Sequence, residues 1–416
     1  MSRSKISRSF LVVIFVACII FLGYLDINMM IKGVNSTIGV HTKLIKVGYA
    51  IALIMLVLIY MFIKDKLYRM KIKRSNSLIY RYIYLSIVAI ISSLLGLTKS
   101  IQTIPIINLI GYLILNVLIA FIIKKIIFNV SKSDMLSVLG MTAYSMLPNI
   151  IQNEYINLNS LLLSLFVTLS ILILQLLIDE LKQRGMKTKK YVIEATLLGL
   201  CIGITILLGI NAFVWLILLI VLLLITVNLD NTHINFSKKI MKSVTQEKRE
   251  QLYKIERINI SKLLISILIM FIFICVFYFA SRFIANSIPD TVSNDFITNI
   301  VNDINANDIS NIRINIGNIK ERLNSFSSYS TTYYLILYVY ILFVEVLAFV
   351  LKRKYDTKST AIKAIFLLVL AFVIITNVNL IVYQSMFTIM LILIAIVNTS
   401  NICLLYTSPS PRDQRG

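Results

Sequence analysis

Apolar residues along this chain gather in blocks of roughly 16–22, broken by short polar or basic runs; a helix needs about that length to cross hydrocarbon. The blocks fall at 10–31, 47–63, 82–98, 105–123, 135–148, 158–178, 191–208, 211–228, 263–285, 332–351, 361–378 and 380–401. They are rich in Ile, Leu, Val and Phe and lack the two-residue alternation of a membrane barrel. Lipid offers no water to a bare backbone, so each block is read as a helix. The pattern predicts an all-α fold, a polytopic transmembrane bundle of about twelve helices. The first block could be mistaken for a signal peptide, but no small-residue cleavage site follows Tyr24. A retained first helix is therefore expected.

Two segments between blocks are long enough to fold. Segment 229–262 is basic, and Ile240, Val244, Leu252 and Ile255 can form one apolar stripe. It is either a helix lying at the membrane surface or a solvated linker. Segment 286–331 is rich in Asn. Ile297, Ile300, Val301 and Ile304 share a helical face there, and so do Ile309, Ile312, Ile316, Ile319 and Leu323. Two short amphipathic helices on the outer leaflet are predicted.

Composition agrees with a lipid solvent: 58% of the 416 residues are hydrophobic and 14% charged, against roughly half and a quarter in soluble domains. The net charge of +22 would point to nucleic acid in a soluble protein. Its distribution points elsewhere. With the N-terminus inside and sides alternating, 31 of the 41 Lys and Arg fall on inner segments and eight on outer ones. This is the cytoplasmic bias of Lys and Arg in membrane proteins, and it predicts a multi-pass cell-membrane protein with a cytoplasmic N-terminus. The bilayer is the implied partner, and no nucleic acid is needed.

The four Cys (Cys18, Cys201, Cys275, Cys403) show no metal spacing or disulfide framework, and His41 and His233 are the only histidines. Neither a P-loop nor a Gly-rich cofactor loop is present, so any cofactor stays unknown at this level. From Cys403 onward the chain reads like translated sequencing-adapter sequence. Residues 403–416 are expected to be a non-native tail, the polytopic domain covering 1–402.

Residues 105–228 resemble the GT-C superfamily of polytopic glycosyltransferases. One apolar helix ends in Lys124-Lys-Ile-Ile-Phe128 and another at Tyr144 and Pro148. A short stretch, a long helix over 158–178 and a basic loop follow. The next helix opens Leu198-Gly-Leu-Cys-Ile-Gly203, similar to the family's Leu-Gly-Leu-x-x-Gly run. The external loop of amphipathic helices is also similar. The chain departs from the family at Asn159, where an acid is usual, and at Gly209 and Ile210, where Arg or Lys is usual. Its loop at 32–46 is short and carries no acid.

The resemblance implies transfer of a sugar from a polyprenyl-phosphate donor to a cell-envelope acceptor on the outer face. That chemistry needs an outer carboxylate to deprotonate a hydroxyl or hold a metal. Glu154, in Asn149-Ile-Ile-Gln-Asn-Glu-Tyr155, and Asp26, at the end of the first block, are the catalytic candidates. Asp290, Asp295, Asp303 and Asp308 are read as solvating the external loop. Arg282 is suited to grip a lipid phosphate or to anchor its helix among headgroups. Two other readings stay open. A transporter or lipid-sugar flippase would line a polar path with Glu345, Asn116 and Asn377. Glu345 lies within the tenth block, where it marks a functional site or reaches toward Lys352 and Arg353. The third reading is a catalytically inactive envelope-assembly scaffold.

Overall fold

The computed structural model describes residues 3–31, 58–59, 82–90, 106–131, 133–145, 158–182, 188–219, 260–288, 295–306, 316–328, 332–350, 357–378 and 380–407. Their regular elements are helical. They are α1 (Arg3–Ile31), α2 (Ile106–Ser131), α3 (Asp134–Ser145), α4 (Leu158–Lys182), α5 (Thr188–Leu207) and α6 (Ile260–Ser287). Then come α7 (Asp295–Ala306), a 3-10 turn (Ile316–Asn318), α8 (Ile319–Ser328), α9 (Thr332–Val350), α10 (Thr357–Ile375) and α11 (Leu380–Thr407). Residues 82–90 and 212–219 are helical as well.

Four stretches are long and apolar enough to cross a membrane: Ile110–Ser131, Leu161–Leu181, Lys190–Leu207 and Ser261–Ser287. Val12–Leu25, Leu337–Val350, Ile362–Ile375 and Met386–Thr399 are shorter apolar helices. Most of the expected block at 47–63 and all of segment 229–259 lie outside the described residues. The first predicted amphipathic helix is α7, with Val301 and Ile304 buried and Asn302 exposed. The second is described from Ile316 onward, as the 3-10 turn and α8.

Only 22% of the apolar window of α6 is buried inside the protein. Leu268, Ile272, Val276, Phe279 and Phe283 recur at three- and four-residue spacing along one exposed stripe, with Phe283 74% exposed. A second stripe runs along α9 through Val339, Phe343, Val346 and Val350. Water disfavours apolar patches this continuous, whereas hydrocarbon tails accept them freely. Hydroxyls turn back to the backbone of their own segment, as Ser266 does to Lys262 O and Ser281 to Tyr278 O on α6, and Thr376 to Phe372 O at the end of α10. Such back-bonding hides a polar group within an apolar helix.

The chain divides into two compact units. One comprises Met1–Ile14, Phe166–Asn315 and Thr360–Tyr383; the other comprises Phe15–Leu165, Ile316–Ser359 and Gln384–Gly416.

The first unit is organised by α5 and α6. The Lys262 ammonium lies 5.6 Å from the Tyr191 ring centroid, at the start of both helices. Further along, Gly199 faces the Phe273 ring and Gly203 the Phe277 ring. Matching positions ascend together, so the two helices are parallel. A further helix over 212–219 follows α5. Gly199 and Gly203 sit one turn apart and leave room for two aromatic rings, the close approach that small residues permit between membrane helices. In this fold the Leu-Gly-Leu-x-x-Gly run is a packing device.

The second unit holds an antiparallel hairpin of α2 and α3. Ser133 caps α3, its hydroxyl accepting the Leu136 N–H at 3.4 Å. Lys124 Nζ lies 3.8 Å from Asp134 Oδ1, across the turn, and over the Tyr82 ring of helix 82–90. Gly140 packs against Ile127, and further from the turn the Tyr144 hydroxyl donates to Asn116 Oδ1 at 3.4 Å. Asn116 is 1% exposed, which places this bond in the hairpin's interior. On α11, every residue from Met386 to Asn398 is buried.

Candidate functional site

The first candidate lies in the first unit, where α5 ends. Gly209 takes φ +100°. Its N–H donates to Ile206 O at 3.1 Å, and the Ile210 N–H donates to Thr205 O at 3.0 Å. These two bonds around a left-handed glycine form a Schellman stop. Asn211 then starts the helix over 212–219, its Oδ1 accepting the Phe213 N–H at 2.7 Å as an N-cap does. The Asn211 N–H donates to the Tyr383 hydroxyl at 2.9 Å. Glycine suits position 209 because this turn needs a residue that accepts positive φ.

Helix α7 packs against α5 and α6 at this end. A Cβ on Gly209 would stand 2.7 Å from Asp303 Cβ, so α7 rests directly on the turn. Arg282, half-buried, lies five residues before the end of α6 and so at the same end of the parallel pair. Trp215 is buried, and its indole Nε1 has no hydrogen-bond partner among the described residues. Asp303, assigned to solvation from sequence, thus sits on a helix turn beside an Arg-bearing helix end. The Asn-rich loop pattern had located the helix but not its contact.

The opposite end of the pair is basic. Lys190 bonds the Glu180 carboxylate, and its ammonium lies 3.9 Å from Glu194 Oε1. Helix α5 begins at Thr188, so Glu194 lies in its second turn, where Lys190 four residues earlier offsets its charge.

The second candidate lies in the second unit, between α9 and α11. Asn398 Nδ2 donates to Glu345 Oε1 at 2.7 Å, with Glu345 3% and Asn398 5% exposed. Next to it the Tyr340 and Thr399 hydroxyls bond each other at 2.7 Å. Glu345 is thus held by an amide inside the helix seam. Asn398 was not found from sequence. Its signal was an amide inside an otherwise apolar block, which costs burial energy unless it is bonded. Lys363, counted on charge alone with a cationic turn, is fully buried on α10.

Of the other sequence candidates, Glu154 lies outside the described residues, and Asp26 lies on α1 with its side chain outside them. Asp26 belongs to the second unit and Arg282 to the first. Of the three residues expected along a polar path, Asn116 and Glu345 are buried and Asn377 is exposed. Among the described residues no three His, Cys, Asp or Glu side chains gather into a metal-holding group. On α8, loss of water pushes the Arg322 guanidinium below its ordinary pKa.

Four helices long and apolar enough to cross a membrane, with exposed apolar stripes, give the described residues the character of an all-helical membrane protein. No protein-family model, curated protein or solved structure matches this chain.

Proposed function

We propose that the chain is a multi-pass cell-membrane protein of about twelve helices, cytoplasmic at its N-terminus, that acts as a GT-C-like glycosyltransferase. In this reading it moves a sugar from a polyprenyl-phosphate donor to a cell-envelope acceptor on the outer face. The observation that supports it is the seating of α7 on the Gly209 turn beside the Arg282 end of α6. It gathers an arginine, an aspartate and a capped helix start at one end of a parallel pair. The other end carries Lys190 and Lys262. That polarity accords with a cytoplasmic lysine end and an outward Gly209 end. Arg282 would grip the lipid phosphate, and Glu154 or Asp26 would serve as base or metal ligand.

Two measurements test this. Alanine at Glu154 or at Asp26 is expected to cut envelope glycan product by about a hundredfold or more, the usual scale of a lost general base. Unchanged product from both variants removes them as catalytic residues. Reporter tags inserted near residues 185 and 310 are expected in opposite compartments. Finding both on the same side overturns the topology and the outward site with it.

A second reading, a transporter or lipid-sugar flippase, is favoured by the burial of Asn116 and Glu345 within apolar helices. It is tested by solute or lipid-sugar movement in reconstituted vesicles.

A further inference from the structure

We propose that Trp215 and Tyr383 offer two buried hydrogen-bond donors to the oxygens of a phosphate group at the end of α5. The inference deepens the glycosyltransferase reading and rests on it for the choice of a phosphate-bearing ligand. Both residues belong to the first unit.

Trp215 is 7% exposed and carries one polar atom, Nε1, which meets no partner among the described residues. Asn116 and Glu194 also hold an unpartnered buried atom, but each has a second polar atom that is paired. Trp215 has no second atom, so its whole hydrogen-bonding capacity is unmet. Tyr383 is fully buried. Its hydroxyl oxygen accepts the Asn211 N–H at 2.9 Å, which leaves the hydroxyl proton without an acceptor among the described residues. Asn211 links the two: its N–H holds Tyr383, and Trp215 follows it by about one helical turn. A buried donor left unbonded bears the full cost of losing its water.

Two donors with no acceptor call for an oxygen that only accepts, and the charge of this end favours an anion. Arg282 stands at the same end of the α5–α6 pair. The helix over 212–219 begins there, and a helix start favours negative charge. Asp303, the acid seated on the Gly209 turn, bonds neither donor. A phosphate carries several acceptor oxygens on one small group, so one ligand can satisfy an indole, a hydroxyl and a guanidinium together.

The chain holds a single tryptophan, so its indole N–H gives one signal in a proton–nitrogen spectrum, and that signal reports on position 215 alone. The test uses the full chain in detergent with isotope-labelled tryptophan. A polyprenyl phosphate should shift the signal in a saturable way, while uncharged polyprenol at the same concentration leaves it in place. Inorganic phosphate is the second probe. A shift with it as well assigns the site to phosphate as such, and a shift with polyprenyl phosphate alone assigns it to the lipid; both uphold the donor pair. Tyr383→Phe should weaken polyprenyl phosphate binding about tenfold or more, the usual scale of one hydrogen bond to a charged group. Trp215→Phe keeps an aromatic ring and removes the donor, so its thermal midpoint should rise less with polyprenyl phosphate than that of the unmodified chain. A signal that neither phosphate probe moves, as a buried water on the indole would give, overturns the proposal without any variant having to fold. So does an equal shift with polyprenol, or equal affinity in Tyr383→Phe. Saturable binding without sugar transfer sinks the glycosyltransferase reading alone, and an unmoved signal in a chain that transfers sugar sinks the donor pair alone.

Discussion

Replacing Gly203 by leucine is expected to force α5 and α6 apart and to cause one of the largest losses of stability available to a single substitution in the first unit. A Cβ at this position would overlap three atoms of the Phe277 ring at once. A ring cannot give way as a methyl tip can, so the helix backbones must separate. Overpacking of this kind costs about 1–3 kcal/mol and sometimes more. Gly199→Ala meets the Phe273 ring in the same way, with the nearest atom 2.7 Å away. The measurement is the thermal midpoint of the purified chain in detergent, and several degrees should be lost. Leu197→Phe, on the exposed face of α5, should change the midpoint little. The decisive arm is the double variant Gly203→Leu with Phe277→Ala. If the ring is the obstacle, removing it recovers part of the loss, a coupling of about 0.5–3 kcal/mol between neighbours. Purely additive effects would mean the glycine is not where the helices meet. Gly140 supplies a contrast. A Cβ there meets only the δ-methyl tips of Ile127 and Ile396, which can rotate aside, so Gly140→Ala should cost less.

The second large effect is expected at Gly209. Its φ of +100° lies where side chains are strained, at a cost of about 1–3 kcal/mol for a residue held there. A Cβ would also press on Asp303, 2.7 Å away. Gly209→Val should therefore lower the thermal midpoint and loosen α7, read as faster proteolysis between residues 288 and 316. Two further variants separate the causes. Asn tolerates left-handed backbone better than Ala does, yet both add the same Cβ. The gap between Gly209→Ala and Gly209→Asn measures backbone strain, and what Asn still loses measures pressure on α7. An α7 equally protected in Gly209→Val and in the unmodified chain would show that it does not rest on this turn.

Much of the architecture could be read from one dimension because hydrocarbon imposes a one-dimensional rule: an apolar run of sufficient length must become a helix. The blocks at 10–31, 158–178, 191–208 and 263–285 became α1, α4, α5 and α6 with ends displaced by a few residues. The 297–304 stripe became α7 because period-3.6 amphipathicity is a local property. The Gly209 turn was legible only as a departure from a family pattern, and its φ and its Asn211 cap came from the structure.

What only tertiary structure decided is which residues meet. Glu345 is one acid in an apolar block until Asn398, 53 residues later, is brought to 2.7 Å. The glycines of Leu198-Gly-Leu-Cys-Ile-Gly203 carried a resemblance in sequence, but their task appears only with Phe273 and Phe277 of a separate helix beside them. Hydropathy records how each residue partitions between water and lipid, a property of that residue and its immediate neighbours. Pairing across helices depends on rotation and register between distant segments, and every lipid-compatible helix satisfies the partition rule equally well whichever partner it finds.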